Sequence, residues 1–171
     1  MIASLAWLVS SCGEPAPTDV FIAMQRDFEG FAGWTRTDLG TVMLAGHPPG
    51  PRAAYVNRPL ERGATEYPVG AIIVKVIHAG GADPSQWALF AMAKRGGGYN
   101  DRGARGWEFF TLRMQGDSPV IVGRGINPPP DGDAAGDPYH LPDGVGCNSC
   151  HGTEDARAND SVLTTLLRPG A

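Results

Sequence analysis

The sequence predicts an α+β domain, mainly an antiparallel β-sheet with a few peripheral helices. Three observations carry this. Four runs between residues 52 and 114 are rich in β-branched and aromatic side chains. No connection between them shows the long apolar periodicity of a crossover helix, which parallel strands need. The chain has 24 glycines and 15 prolines in 171 residues, a loop-rich composition with sharp turns and not that of a helical bundle. An apolar share of 42% supports one packed core over residues 18–171. The formal net charge of −4 gives no electrostatic case for nucleic acid.

From the N-terminal side, Thr18 or Asp19 can cap a helix on which Val20, Met24, Phe28 and Phe31 recur at helical spacing, with Gly33 ending it. Residues 34–37 extend, and the glycine- and proline-rich residues 46–51 turn. Residues 52–57 alternate, with Arg52, Ala54 and Val56 on one face. Residues 71–77 are almost wholly apolar and suit a central strand buried on both sides. Residues 86–95 place Phe90 and Met92 on one face, and Trp87, Leu89 and Ala91 on the other. Residues 107–114 are aromatic-rich, and Val120, Ile121 and Val122 add a short edge strand. Residues 127–146 form a loop rich in proline, glycine and aspartate. A last short helix over 161–167 packs back beside the end of that loop.

The loop runs into Cys147-Asn148-Ser149-Cys150-His151. C-x-x-C-H is the attachment signature of a c-type haem. Two thiols three positions apart add across the two vinyl groups of one haem, and the next histidine is carried under the iron as an axial ligand. Asn148 and Ser149 are small enough to let the loop lie close to the ring. From this chain's scarcity of Cys and His, the pattern is expected by chance on the order of once in a thousand such sequences. A structural zinc site needs four ligands, and only His140 lies near as a fourth. A thioredoxin-type dithiol belongs at a strand-to-helix turn, which this context lacks.

The third cysteine, Cys12, comes after an apolar run that is too short to span a membrane and reads as the core of a secretory signal. Residues 8–12 resemble a bacterial lipobox, so Cys12 is the candidate lipidation site and residues 1–17 are signal and tether. No Lys or Arg precedes the run, a departure from that pattern. An ordinary cleaved signal with an incidental cysteine is the alternative. Both readings export the chain to the periplasm, and the membrane enters only through a lipid anchor.

Lys75 interrupts an otherwise apolar strand, on the same face as Ile73 and Ile77. Burial lowers a lysine's pKa and frees a nucleophilic amine. The bland alternative is a lysine reaching water at a sheet edge.

Several strings recur in a suggestive order: Asn57, residues 67–75 ending in Val74-Lys75, Ala93-Lys94-Arg95 with Gly98-Tyr99, residues 106–110, and the late C-x-x-C-H. That order resembles the cytochrome P-460 family, which includes the cytochromes c-prime-beta, over about residues 31–151. The resemblance implies a mainly antiparallel β fold, often a homodimer, with one c-type haem, a proximal histidine and an open distal face. In hydroxylamine-oxidising members a lysine at the end of the Val-Lys strand is joined to the porphyrin, and Lys75 matches it. An arginine near the start of the preceding strand lies by the haem, and Arg52 is the match. Where those members carry a distal acid, this chain has Phe90.

The departure matters because oxidising hydroxylamine removes protons with electrons, and phenylalanine accepts none. An apolar distal wall favours a small uncharged ligand such as nitric oxide, as in the c-prime-beta members. Glu108 is an alternative acid. Lys75, Arg52 and Phe90 are therefore the candidate catalytic residues, with Cys147, Cys150, His151 and Lys75 holding the haem and His151 ligating its iron. The readings are a hydroxylamine oxidoreductase passing electrons to a partner cytochrome, a nitric-oxide-binding module, and an electron-transfer cytochrome whose sixth ligand is His78, Met92 or Met114. His47 and His140, in turn-rich loops, are expected to face solvent.

Overall fold

A computed structural model describes residues 19–41, 47–79, 81–128 and 146–169. Six strands form one antiparallel sheet in sequence order: β1 (Thr35–Gly40), β2 (Arg52–Val56), β3 (Ile72–Ile77), β4 (Ala88–Lys94), β5 (Trp107–Gln115) and β6 (Ser118–Gly125). Each strand pairs with its successor, so every connection is a hairpin and none needs a crossover.

The pairing register assigns side chains to faces, because residues opposite one another share a face and alternate residues along a strand do too. Ala54 lies opposite Lys75, and Lys75 opposite Phe90. Arg52, Lys75, Phe90, Met92 and Phe109 therefore share a face. Ala53, Val74, Leu89, Ala91 and Phe110 line the other, where Phe28 and Phe31 cover them. Both faces of the central strands are packed, which is why β3 reads as a nearly unbroken apolar run. Burying each such Val, Ile or Leu contributes about 1.5–3 kcal/mol.

β2 keeps the expected facing but is buried throughout, since the small side chains of Ala53 and Ala54 let cover approach from both sides. Asn57 ends it by turning its amide on the next strand: Oδ1 accepts from Ile72 N at 2.6 Å and Nδ2 donates to Gly70 O at 3.2 Å. β6 is longer than three residues, pairing with β5 past a bulge at Thr111/Leu112.

Two helical expectations are corrected. The N-terminal segment is extended, with short 3₁₀ turns at Gln25–Phe28 and Phe31–Gly33. Phe21 N donates to Arg95 O and Val20 bridges Gly96, so the backbone pairs with the sheet, and left-handed Gly30 separates the turns. Phe28 and Phe31 are core, as their spacing suggested, but Val20 and Met24 are exposed. At the C-terminal end, a helix over 161–167 is replaced by a 3₁₀ turn at Thr165–Leu167. Ser161 itself is left-handed, at φ 62°, and cannot start a helix. The helical residues lie earlier, in α1 (Cys147–His151) and α2 (Glu154–Arg157). Cys12, His140 and the signal and tether lie outside the described residues.

Candidate functional site

α1 carries the whole C-x-x-C-H motif on little more than one helical turn. So short a helix is not stable alone, and Asn148 fixes it. Its Oδ1 accepts from Asn100 Nδ2 and Ala104 N, both at 3.0 Å, and its Nδ2 donates to Asn100 Oδ1 at 3.0 Å. Asn148 N donates to Asn127 Oδ1 at 2.8 Å. The side chain expected only to be small is thus a peg between the motif and the β4–β5 connection. Gly103 faces the peg so closely that a Cβ there would strike the oxygens of both Asn148 and Asn100.

The peg leaves Cys147 packed against the apolar cluster that contains Ile73, Met92 and Phe109, while Cys150 is exposed. Both thiols are free. Burial pushes the Cys147 thiol up to about 11, with the Lys75 charge opposing the shift. The His151 ring lies 5.2 Å from the Phe109 ring. Its Nδ1 is 2.7 Å from the Ser161 carbonyl, which can only accept, so Nδ1 carries the proton and Nε2 keeps a free lone pair. Burial lowers the His151 pKa to about 4 against the raising effect of that hydrogen bond, so the ring is neutral at physiological pH. A neutral imidazole with Nδ1–H engaged is the form that ligates a metal through Nε2.

Lys75 projects from the third of six strands and is half-buried, so the sheet-edge alternative does not apply. Its Nζ lies 2.8 Å from His47 Nε2 and 5.5 Å from the centre of the Phe90 ring. Burial first, and then the Arg52 charge, lower its pKa to about 8; the Cys147 and Cys150 thiols act in the opposite direction. His47 was expected in solvent and is instead half-buried, edge-on to Phe90 at 4.7 Å between ring centres. Burial, then Lys75 and Arg52, lower its pKa to about 4. Sequence reasoning missed it because only its glycine- and proline-rich flanks were legible; its preceding chain positions gave no strand period.

Arg52 is 3% exposed. Its Nη2 donates to Pro48 O at 3.2 Å, while Nε and Nη1, like His47 Nδ1, find no partner among the described residues. Arg52, Lys75, His47 and Phe90 thus gather on the face against which Cys147 packs. Glu108 does not join them. It is opposite Ala93 on the other face, held by Arg95 at 3.3 Å and by Arg124 at 2.8 and 3.0 Å. Of the alternative axial ligands, His78 packs on Trp87 and Met114 on the far-side core, and Met92 alone shares the Lys75 face.

The chain matches no family model, no curated protein and no solved structure. Among the described residues no group of three or more His, Cys, Asp or Glu side chains gathers as a metal site. The donor set instead suits a haem. Two thiols and an imidazole with a free Nε2 sit on one helical turn, an apolar cluster of Ile73, Met92 and Phe109 packs against Cys147 with Phe90 on the same sheet face, and Arg52 guanidinium nitrogens without partners among the described residues suit carboxylates such as haem propionates.

Proposed function

We propose that this chain is an exported, lipid-anchored mono-haem c-type cytochrome of the P-460 type, acting on hydroxylamine. The observation that supports this best is Lys75, a half-buried amine in mid-sheet on the face where Cys147 packs. Cys147 and Cys150 would hold the haem through thioethers, His151 Nε2 would ligate it, Arg52 would pair its carboxylates, and Lys75 would be a third covalent anchor. When bound, the haem supplies an electron acceptor and an open coordination position.

The chain's own residues then bind the substrate, keep water out and handle protons. Phe90, Ile73 and Met92 make an apolar wall that admits a small uncharged molecule such as hydroxylamine. Withdrawing two electrons from hydroxylamine releases two protons; the electrons leave to a partner cytochrome. Once Lys75 is joined to the porphyrin its ammonium no longer fills His47 Nε2 or lowers that ring's pKa, and His47 would be the proton acceptor that the Phe90 position lacks. Periplasmic export and a lipid on Cys12 complete the reading.

The test is the absorption spectrum of the haem-loaded protein, ferric and then reduced with dithionite. A strongly red-shifted ferrous Soret band that Lys75→Tyr abolishes is the expected result. An unchanged spectrum in Lys75→Tyr removes the covalent lysine. A second reading, a nitric-oxide-binding protein without turnover, is favoured by the Phe90 ring beside the site; an ordinary high-spin spectrum with tight nitric oxide binding would select it. A low-spin spectrum would return the protein to electron transfer, with Met92 as the first sixth ligand to test.

A further inference from the structure

Two costly features of the fold serve neither the sheet nor the haem-binding residues directly. One is a buried ion pair: Lys94 and Asp160 are bonded with side chains only 9% and 5% exposed. Taking two charges out of water opposes folding unless further hydrogen bonds complete them. The other is backbone strain. Asp160 and Ser161 are consecutive non-glycine residues in the left-handed region, at φ 50° and 62°. The two features meet at one place. Asp160 Oδ2 accepts from Tyr67 N at 2.8 Å, and its backbone carbonyl accepts from Trp107 Nε1 at 2.8 Å. Ser161 N donates to Ala156 O at 2.7 Å, which closes the turn. The next carbonyl along, that of Ser161, is the one that receives His151 Nδ1.

We propose that Asp160 is a positioning residue for His151. Its pairing with Lys94 and its hydrogen bonds from Tyr67 and Trp107 pin the strained turn to the sheet, so that the Ser161 carbonyl is held where it fixes the His151 ring and its tautomer. The clamp joins β4, β5 and the β2–β3 connection to the segment after the motif. Its part in orienting His151 needs no haem. Its effect on the iron rests on the haem reading: a fixed acceptor at Nδ1 makes Nε2 a stronger donor and favours the ferric state.

The test uses the full chain carrying Asp160→Gly with Lys94→Met. Glycine adopts the same φ freely and keeps the carbonyl that Trp107 bonds, so the change removes the Lys94 and Tyr67 pegs without adding strain or stranding the lysine. In the haem-free chain, nitrogen NMR of His151 should show the Nδ1–H tautomer, and its ring proton should exchange about tenfold faster in the variant. In the loaded protein the iron–histidine stretching frequency should fall and the midpoint potential should rise. If the double variant does not fold, Trp107→Phe, which deletes one peg bond, should shift the same signals less far. An unaltered ring-proton exchange rate in a folded variant overturns the clamp. Failure of the chain to take up haem overturns the haem reading instead, and the haem-free measurement still decides the clamp.

Discussion

Lys75 Nζ and His47 Nε2 lie 2.8 Å apart, joining the third strand to a loop 28 residues earlier in the chain. With His47 held neutral to about pH 4 and Lys75 losing its proton near pH 8, the ammonium donates to the imidazole between those values. Burial is the main cause of both shifts, and the two groups with Arg52 repel one another's protons.

Removing the lysine charge should therefore stabilise the haem-free chain. The folded pKa of Lys75 lies below its ordinary 10.5, so folding opposes its protonation and that cost is present in full below about pH 8. Lys75→Met should gain about 1–3 kcal/mol at pH 7, an advantage that fades by pH 10.5. Urea unfolding of both proteins at the two pH values measures it. In the same variant the His47 pKa should rise, since one of the charges lowering it is gone; NMR titration reads that directly.

Acid should destabilise the haem-free chain through its buried imidazoles. His151 has a folded pKa near 4 against an ordinary 6.5, so the unfolded state takes up the proton first. Its contribution is intact above about pH 6.5 and is lost as pH falls to 4, amounting to about 3 kcal/mol. His47 acts in the same direction. Thermal melts from pH 7 to 4 should show the decline, and His151→Phe should flatten it.

The Asn148 peg should matter more than its place between two cysteines suggests. Asn148→Ala strands Asn100 Oδ1 and the Ala104 N–H, while Asn100 Nδ2 keeps its bond to Trp107 O, and should cost about 2 kcal/mol. Thermal unfolding measures the loss, and the yield of covalently attached haem should fall with it.

Glu108 should be structural only. Its carboxylate is buried between Arg95 and Arg124, which are 27% and 34% exposed and keep access to water, so Glu108→Gln should cost only about 1 kcal/mol. The haem spectrum should not change, because Lys75 is on the opposite face. A spectral change equal to that of a Lys75 variant would put Glu108 at the site after all.

The sheet was legible because β-strand periodicity is local: residues 71–77 and 107–114 announce β3 and β5, and the want of crossover helices points to antiparallel pairing. Period two also placed Arg52, Lys75 and Phe90 on faces that the register then brings together. The N-terminal spacing of Phe28 and Phe31 marked core residues and misnamed their element, because backbone pairing of Phe21 with Arg95 outweighs helical propensity. Local pattern likewise could not show that Ser161 is left-handed.

Neighbours a few positions apart were enough to mark the strands, the chemistry of Cys147, Cys150 and His151, and the oddity of Lys75. Only folding reveals that His47 meets Lys75, that Glu108 faces away, that Asn148 pegs the motif and that Asp160 reaches Lys94. Those contacts join residues 28, 48 and 66 positions apart, or oppose two faces of one sheet, and the folded register alone brings such separations within hydrogen-bonding distance.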